Sequence, residues 1–129
     1  MTWLIAMPGA ISTKRRRPVG RGQLDVVGAG AADFLESLCA NRIARETGRV
    51  TYTQMLNPRG GIECDFTVTR LGAERFRIVT GTAFGQHDAA WIRQHAPADG
   101  SVQVVDVTSG YACLGLWGPA SRATLQPLT

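Results

Sequence analysis

No stretch of this 129-residue sequence stays apolar for the roughly 18 to 20 residues that a membrane-spanning helix requires, which excludes a helical transmembrane protein. Cysteine is scarce. Cys39, Cys64 and Cys113 are odd in number, form no C-x-x-C pair and have no His close by in sequence, so they read as reduced thiols of an intracellular protein. Histidine is scarcer still: His87 and His95, eight apart on one predicted helix, are too few for a zinc site, and no metal is expected. No secretory leader is expected. The apolar start MTWLIAM precedes the positive cluster instead of following it, the wrong order for a secretory signal peptide. A soluble, cytoplasmic protein is the expectation.

What is present is the composition of one ordinary domain, 44% hydrophobic and 19% charged. The 14 Lys and Arg exceed the 10 Asp and Glu, giving a net charge of +4, but Lys14, Arg15, Arg16 and Arg17 account for the whole excess. The body is therefore neutral, which argues against a broad nucleic-acid-binding face. Residues 1–20 mix an apolar start, Pro8-Gly9, the basic run and Pro18 with no helical or strand period, and read as a poorly ordered basic arm.

Regular signals begin after residue 20. Gln23–Val27 predicts a strand, and Ala31–Ala44 a helix with Phe34, Leu35, Leu38 and Cys39 on one face. Val50–Leu56 is rich in β-branched and aromatic residues and is stopped by Asn57-Pro58-Arg59-Gly60-Gly61, a strand and a turn. Ile62–Thr69 alternates strictly, with Ile62, Cys64, Phe66 and Val68 on one face and Glu63, Asp65, Thr67 and Thr69 on the other. Arg75–Thr80 returns. A loop of Arg70–Glu74 sets Phe66 opposite Ile78, Val68 opposite Phe76 and Asp65 opposite Val79, the register that pairs apolar with apolar. Ala83–Ala96 predicts a second helix carrying Phe84, Trp91 and Ile92, Ser101–Val107 and Tyr111–Trp117 two more strands, and Gly118-Pro119 opens a last helix to about Gln126. Adjacent strands are too many for repeated βαβ units. The pattern predicts an α+β domain, a largely antiparallel sheet with flanking helices.

Three features invite a functional reading. Gly28-Ala29-Gly30 between a strand and a helix imitates a dinucleotide fingerprint, but Asp33 stands where the motif wants Gly or Ala and would repel a phosphate, so the segment reads as a glycine turn. The basic run is a candidate phosphate-seeking arm, yet no aromatic residue is interleaved with it to stack on bases. Asp65 is the most informative. An aspartate in the middle of the best-patterned strand competes with the ladder for backbone hydrogen bonds, so its presence there needs either solvent or a purpose.

The segment GRVTYTQMLNPRGGIECDFTVTRLGAERFRIVT (48–80), with FLESLCAN (34–41) before it and DVTSGYA (106–112) and LGLWGP (114–119) after it, resembles the folate-binding domain of the aminomethyltransferase family. That family includes the glycine-cleavage T-protein and the C-terminal parts of dimethylglycine and sarcosine dehydrogenases, to which YTQMLNPRGGIECDFTVTRL is the more similar. The resemblance covers about 23–129 and leaves out 1–20. It implies that residues 21–129 are the first, truncated part of a T-protein-like fold, with the remaining domains lying beyond Thr129.

By resemblance, Asp65 is the catalytic carboxylate, set against the pterin of tetrahydrofolate and balancing the positive charge of the iminium through which a one-carbon unit passes. Tyr52, Met55, Val79 and Thr80 would line the same pocket. Two departures stand out: Cys64 replaces the first of a usual pair of acids, and Gly81 stands where the T-protein pattern has Asn. The implied function is one-carbon transfer from an N-methyl amine, or from an aminomethyl group on a lipoyl carrier protein, to tetrahydrofolate. A flavin dehydrogenase domain or the missing C-terminal domains on another chain are the implied partners. The alternative is a non-catalytic folate-binding or scaffold fragment needing a partner chain, and a nucleic-acid-binding protein using the basic arm ranks last.

Overall fold

The computed structural model describes residues 3–8, 22–81, 83–116 and 118–128. In chain order these form β1 (Trp3–Pro8), β2 (Gly22–Val27), α1 (Ala31–Leu38), β3 (Val50–Leu56), β4 (Ile62–Gly72), β5 (Arg75–Thr80), α2 (Gly85–His95), β6 (Gln103–Asp106), β7 (Tyr111–Leu116) and α3 (Ser121–Leu125). A five-stranded antiparallel sheet has the order β3-β4-β5-β2-β6, and β1 pairs with β7 in a second sheet. The class is the expected α+β.

Alternation along the strands divides the large sheet into two unlike faces. One carries Leu24, Val26, Met55, Cys64, Phe66, Val68, Phe76 and Ile78, all buried against Ala31, Phe34 and Leu35 of α1 and Ala89 and Ile92 of α2. This is the core, and removing so much apolar side-chain surface from water is its main support. The other face carries Gln23, Asp25, Tyr52, Gln54, Asp65, Thr67, Arg77 and Val79, neighbours through the pairs Gln54–Asp65, Tyr52–Thr67, Thr67–Val79, Gln23–Val79 and Asp25–Arg77.

The β4–β5 register differs from expectation by two residues. Phe66 stands opposite Thr80, Val68 opposite Ile78 and Thr67 opposite Val79. β4 runs on to Gly72, so the turn shrinks to Ala73-Glu74, with an irregularity between Arg70 and Gly72. A slip of two keeps every side chain on its expected face, because the strand period is also two.

Three other expectations are corrected. Helix α1 stops at Leu38 instead of reaching Ala44: Cys39 is extended (φ −86°, ψ 140°) and bridges to Met55, while the Glu36 carboxylate accepts the backbone N–H of Ile43 (2.6 Å) and of Ala44. Those tertiary and side-chain bonds replace the helical ones that the pattern implied. Phe84, expected on the buried stripe of the second helix, precedes α2 and is 62% exposed, and the buried positions are Asp88, Ala89 and Ile92. Trp3–Pro8, expected to be unstructured, form β1 and pair with the backbone of β7, which among the described residues has no other strand beside it. The basic run 14–17 and Trp117 lie outside the described residues.

The Gly28–Gly30 segment is a packing turn. A Cβ on Gly28 (φ +124°) would sit 2.2 Å from the Ser101 carbonyl oxygen, and one on Gly30 2.9 Å from the Ser101 hydroxyl. The glycines let the start of α1 lie against the segment that leads into β6, with Gly30 N–H donating to Ser101 O at 3.1 Å.

Candidate functional site

The polar face of the large sheet gathers the chemistry. Tyr52 and Asp65 are diagonal cross-strand neighbours, since Tyr52 pairs with Thr67 and Asp65 with Gln54. The Asp65 carboxylate faces the Tyr52 phenol and holds it above its ordinary pKa of 10.0, because a phenolate there would meet a carboxylate; the Gln54 side chain pulls the other way. Asp65 is exposed and Tyr52 is 56% exposed, so both face open space.

The loop before β3 fixes this strand edge. Asn41 Nδ2 donates to the Tyr52 carbonyl oxygen (2.7 Å), Asn41 N to Thr53 Oγ1 (3.1 Å) and Ala40 N to the Gln54 carbonyl oxygen (2.8 Å). These bonds occupy edge groups that would otherwise invite another strand. At the far end of the hairpin, Asn57 Oδ1 accepts from Arg59 N (3.0 Å) and Gly61 N (2.9 Å), and its amide donates to Glu63 (2.8 Å), which closes the NPRGG turn.

Towards the middle of the sheet the same face becomes buried. Val79 is 7% exposed and lies beside Gln23, which is 1% exposed and whose side-chain Oε1 has no hydrogen-bond partner. Next comes an ion-pair network. Arg77 Nε and Nη2 donate to Asp25 Oδ1 (2.7 Å) and Oδ2 (3.0 Å), Arg75 Nη2 donates to Oδ2 (2.7 Å), and the Arg77 guanidinium lies 3.8 Å from the Tyr111 ring centroid. Burial pushes the Asp25 carboxyl up, but the hydrogen bonds and charges of Arg77 and Arg75 outweigh it and leave the group below its ordinary value.

Tyr52, Asp65 and Val79 therefore share one face. Met55 and Thr80 do not. Met55 is fully buried in the core opposite Cys64, and Thr80 is buried with its hydroxyl donating to Asp88 of α2. Their expected place beside Asp65 is corrected by the alternation of the strands: Met55 is an odd number of residues from Tyr52, and Thr80 directly follows Val79. Gln23 and Gln54 went unnoticed in the sequence. Gln54 could have been found, since it lies two residues from Tyr52 on the same strand face, whereas Gln23 joins the face only through the β2–β5 pairing.

Concave spaces lie elsewhere, one of about 360 Å³ among Arg42, Arg45, Glu46 and Arg70 and one of about 270 Å³ between Gly22, Gly85, Asp106 and Thr108. Among the described residues, the Tyr52–Asp65 face lines neither of these.

Known proteins match this architecture. The family model of the GCVT N-terminal domain matches residues 20–129, and the chain belongs to that family. It is similar to the aminomethyltransferase of Geobacillus thermodenitrificans, 37% identical over 84% of this chain and 29% of that protein. It is also similar to the 4-methylaminobutanoate oxidase (formaldehyde-forming) of Paenarthrobacter nicotinovorans, 36% identical over 83% of this chain and 13% of that protein. Mitochondrial dimethylglycine dehydrogenase of Rattus norvegicus is 33% identical over 84% of this chain and 13% of its own length. Among solved structures, the glycine cleavage system aminomethyltransferase T of Bartonella henselae superposes with a TM-score of 0.69 at 26% identity, over 85% of this chain and 30% of that one. The chain thus spans under a third of the relatives it matches.

Proposed function

We propose that this chain supplies one wall of a tetrahydrofolate site in a larger aminomethyltransferase-type protein. In that protein a one-carbon unit passes to tetrahydrofolate from an N-methyl amine or from an aminomethyl group on a lipoyl carrier protein. Family membership supports the class, and the names of the oxidase and dehydrogenase relatives fit a methylated amine as donor.

The observation that carries the reading is the Asp65 carboxylate, exposed on a sheet face diagonally across the strand pair from Tyr52. The donor set fits a pterin. Its amino-pyrimidinone edge offers parallel N–H donors, which an exposed carboxylate accepts as a pair. A fixed negative charge at Asp65 would favour the positive charge that develops as carbon leaves an amine, without having to reorganise during the reaction. Tyr52 would hold the carboxylate in one rotamer. An open wall also accords with a chain that spans 29% of a relative's length, the rest of the enclosure coming from further sequence or a partner chain.

The test is a calorimetric titration of the chain with tetrahydrofolate beside Asp65→Asn, with circular dichroism to verify folding. Binding that weakens about 10-fold or more in the variant, the loss expected of a charge-assisted hydrogen bond, supports the reading. Equal affinity removes Asp65 from the site. No binding by the folded wild-type chain favours the alternative of a scaffold segment whose ligand is held elsewhere.

A further inference from the structure

On the opposite face of the sheet from Asp65, β4 and α2 bring three unlike ligating side chains together. Cys64 Sγ, a His87 ring nitrogen and an Asp88 carboxylate oxygen all lie within 4.8 Å of one another. Cys64 and Asp88 are each 1% exposed, whereas the His87 side chain is 50% exposed and opens the cluster to solvent. We infer that Cys64, His87 and Asp88 form a binding site for a zinc-type divalent cation that ties β4 to the first turn of α2.

The donor chemistry selects the ion. One thiolate, one imidazole and one carboxylate suit borderline-soft zinc, whereas calcium and magnesium take oxygen ligands alone. Around tetrahedral zinc, bond lengths of about 2.0 to 2.3 Å place ligand atoms ~3.3–3.6 Å apart, so small side-chain rotations close the present cluster onto an ion. A fourth position stays open on the His87 side for water.

The outer groups are those such a site needs. His87 Nδ1 lies 3.1 Å from Asp88 Oδ1, on the inner side of the ring, while Nε2 faces Glu63 Oε2 at 3.8 Å. Coordination through Nδ1 leaves the Nε2 proton for Glu63, and a carboxylate accepting the second ring N–H is the usual support of a metal-bound histidine. Glu63 is itself held by the Asn57 amide at 2.8 Å, and Asp88 Oδ2 accepts the Thr80 hydroxyl. Glu63 and Asp88 are thus held by their neighbours, and the 3.8 Å between Nε2 and Glu63 has to close to a hydrogen bond when the ion binds.

A cation also answers an electrostatic problem. Asp88 is a buried carboxylate whose hydrogen-bond partners are a hydroxyl and an imidazole, neither a permanent positive charge. Binding of Zn²⁺ converts Cys–SH to a zinc thiolate and releases its proton to solvent, and the ion then neutralises both groups.

The experiment uses the tag-free 129-residue chain with Zn²⁺ in competition with a chromophoric chelator, and with Co²⁺ as a spectroscopic probe. One metal per chain is expected, with a sulfur-to-cobalt charge-transfer band and a rise in Tm that a chelator reverses. His87→Ala, at an exposed position that leaves the fold intact, should abolish tight binding, and Cys64→Ala should remove the charge-transfer band. Glu63→Gln should weaken zinc between about 10- and 100-fold, and His95→Ala should change nothing. Failure of the folded chain to bind either ion, or binding that survives His87→Ala, overturns the site. Tetrahydrofolate titration reads the other face of the sheet, so the two outcomes are separable.

Discussion

Asp25 and Arg77 stand directly opposite each other on β2 and β5, and the guanidinium closes on both carboxylate oxygens at 2.7 and 3.0 Å. Both are buried, at 3% and 8% exposure. Removing one partner strands a charge away from water, so Arg77→Ala should destabilise the chain by ~3–5 kcal/mol in chemical denaturation. The pH dependence has a definite sign. Asp25 titrates below its ordinary 3.8 when folded, so its contribution is complete above that value and is lost as pH falls through the lower, folded pKa. Wild-type Tm should drop over that acidic window, and Asp25→Asn, already destabilised at neutral pH, should show a shallower drop.

Gly28→Ala should be far more damaging than Gly48→Ala, although both glycines have positive φ (+124° and +87°). A left-handed backbone costs an L-residue roughly 1–2 kcal/mol. That cost is shared. At Gly48 nothing lies within 4 Å of the added Cβ, whereas at Gly28 it meets the Ser101 carbonyl oxygen at 2.2 Å. Paired denaturation curves measure the difference, and equal losses would mean that the α1 start does not pack on Ser101.

Much of this was legible in the sequence, for a physical reason. Alternation sorted Cys64, Phe66 and Val68 from Asp65 and Thr67 correctly, but Ile62, expected on the buried face, is 65% exposed beside the irregularity at Met55/Leu56; the Asn57–Gly61 composition marked the turn. The hairpin register was not legible, because pairing apolar with apolar favoured the expected register, whereas the observed one sets Phe66 opposite Thr80 and Arg70 opposite Phe76 and keeps only Val68 opposite Ile78. The end of α1 escaped as well: Glu36 takes the Ile43 and Ala44 amides through a turn that no helical period announces. For the site, parity alone separates Tyr52 and Asp65 from Met55 and Thr80. The Cys64–His87–Asp88 cluster was out of reach, since Cys64 is distant in sequence from the adjacent His87 and Asp88 and meets them only because α2 packs over β4.

Two phenylalanines test the assignment of faces. Phe66 is 3% exposed in the core, and Phe66→Ala should cost ~3–5 kcal/mol. Phe84, at 62% exposure, should tolerate alanine within about 0.5 kcal/mol. Denaturant midpoints at constant slope decide it, and a reversed ranking would mean that the β4 faces are exchanged.

The two tyrosines of the chain should ionise on opposite sides of the ordinary value of 10.0, which gives a direct optical handle on the Asp65 site. Tyr111 is lowered, chiefly because Arg77 hydrogen-bonds its oxygen and so favours the phenolate. Tyr52 is raised, chiefly by the Asp65 carboxylate, which a phenolate would have to face. An ultraviolet difference titration should therefore resolve two steps, with circular dichroism showing that the chain stays folded across them. Asp65→Asn removes the negative charge but keeps a polar acceptor, so the upper step should move down towards 10 while the lower one stays. Tyr52→Phe should delete the upper step altogether. If the upper step is unmoved in Asp65→Asn, the carboxylate does not hold that phenol, and the rotamer support proposed for Asp65 falls with it.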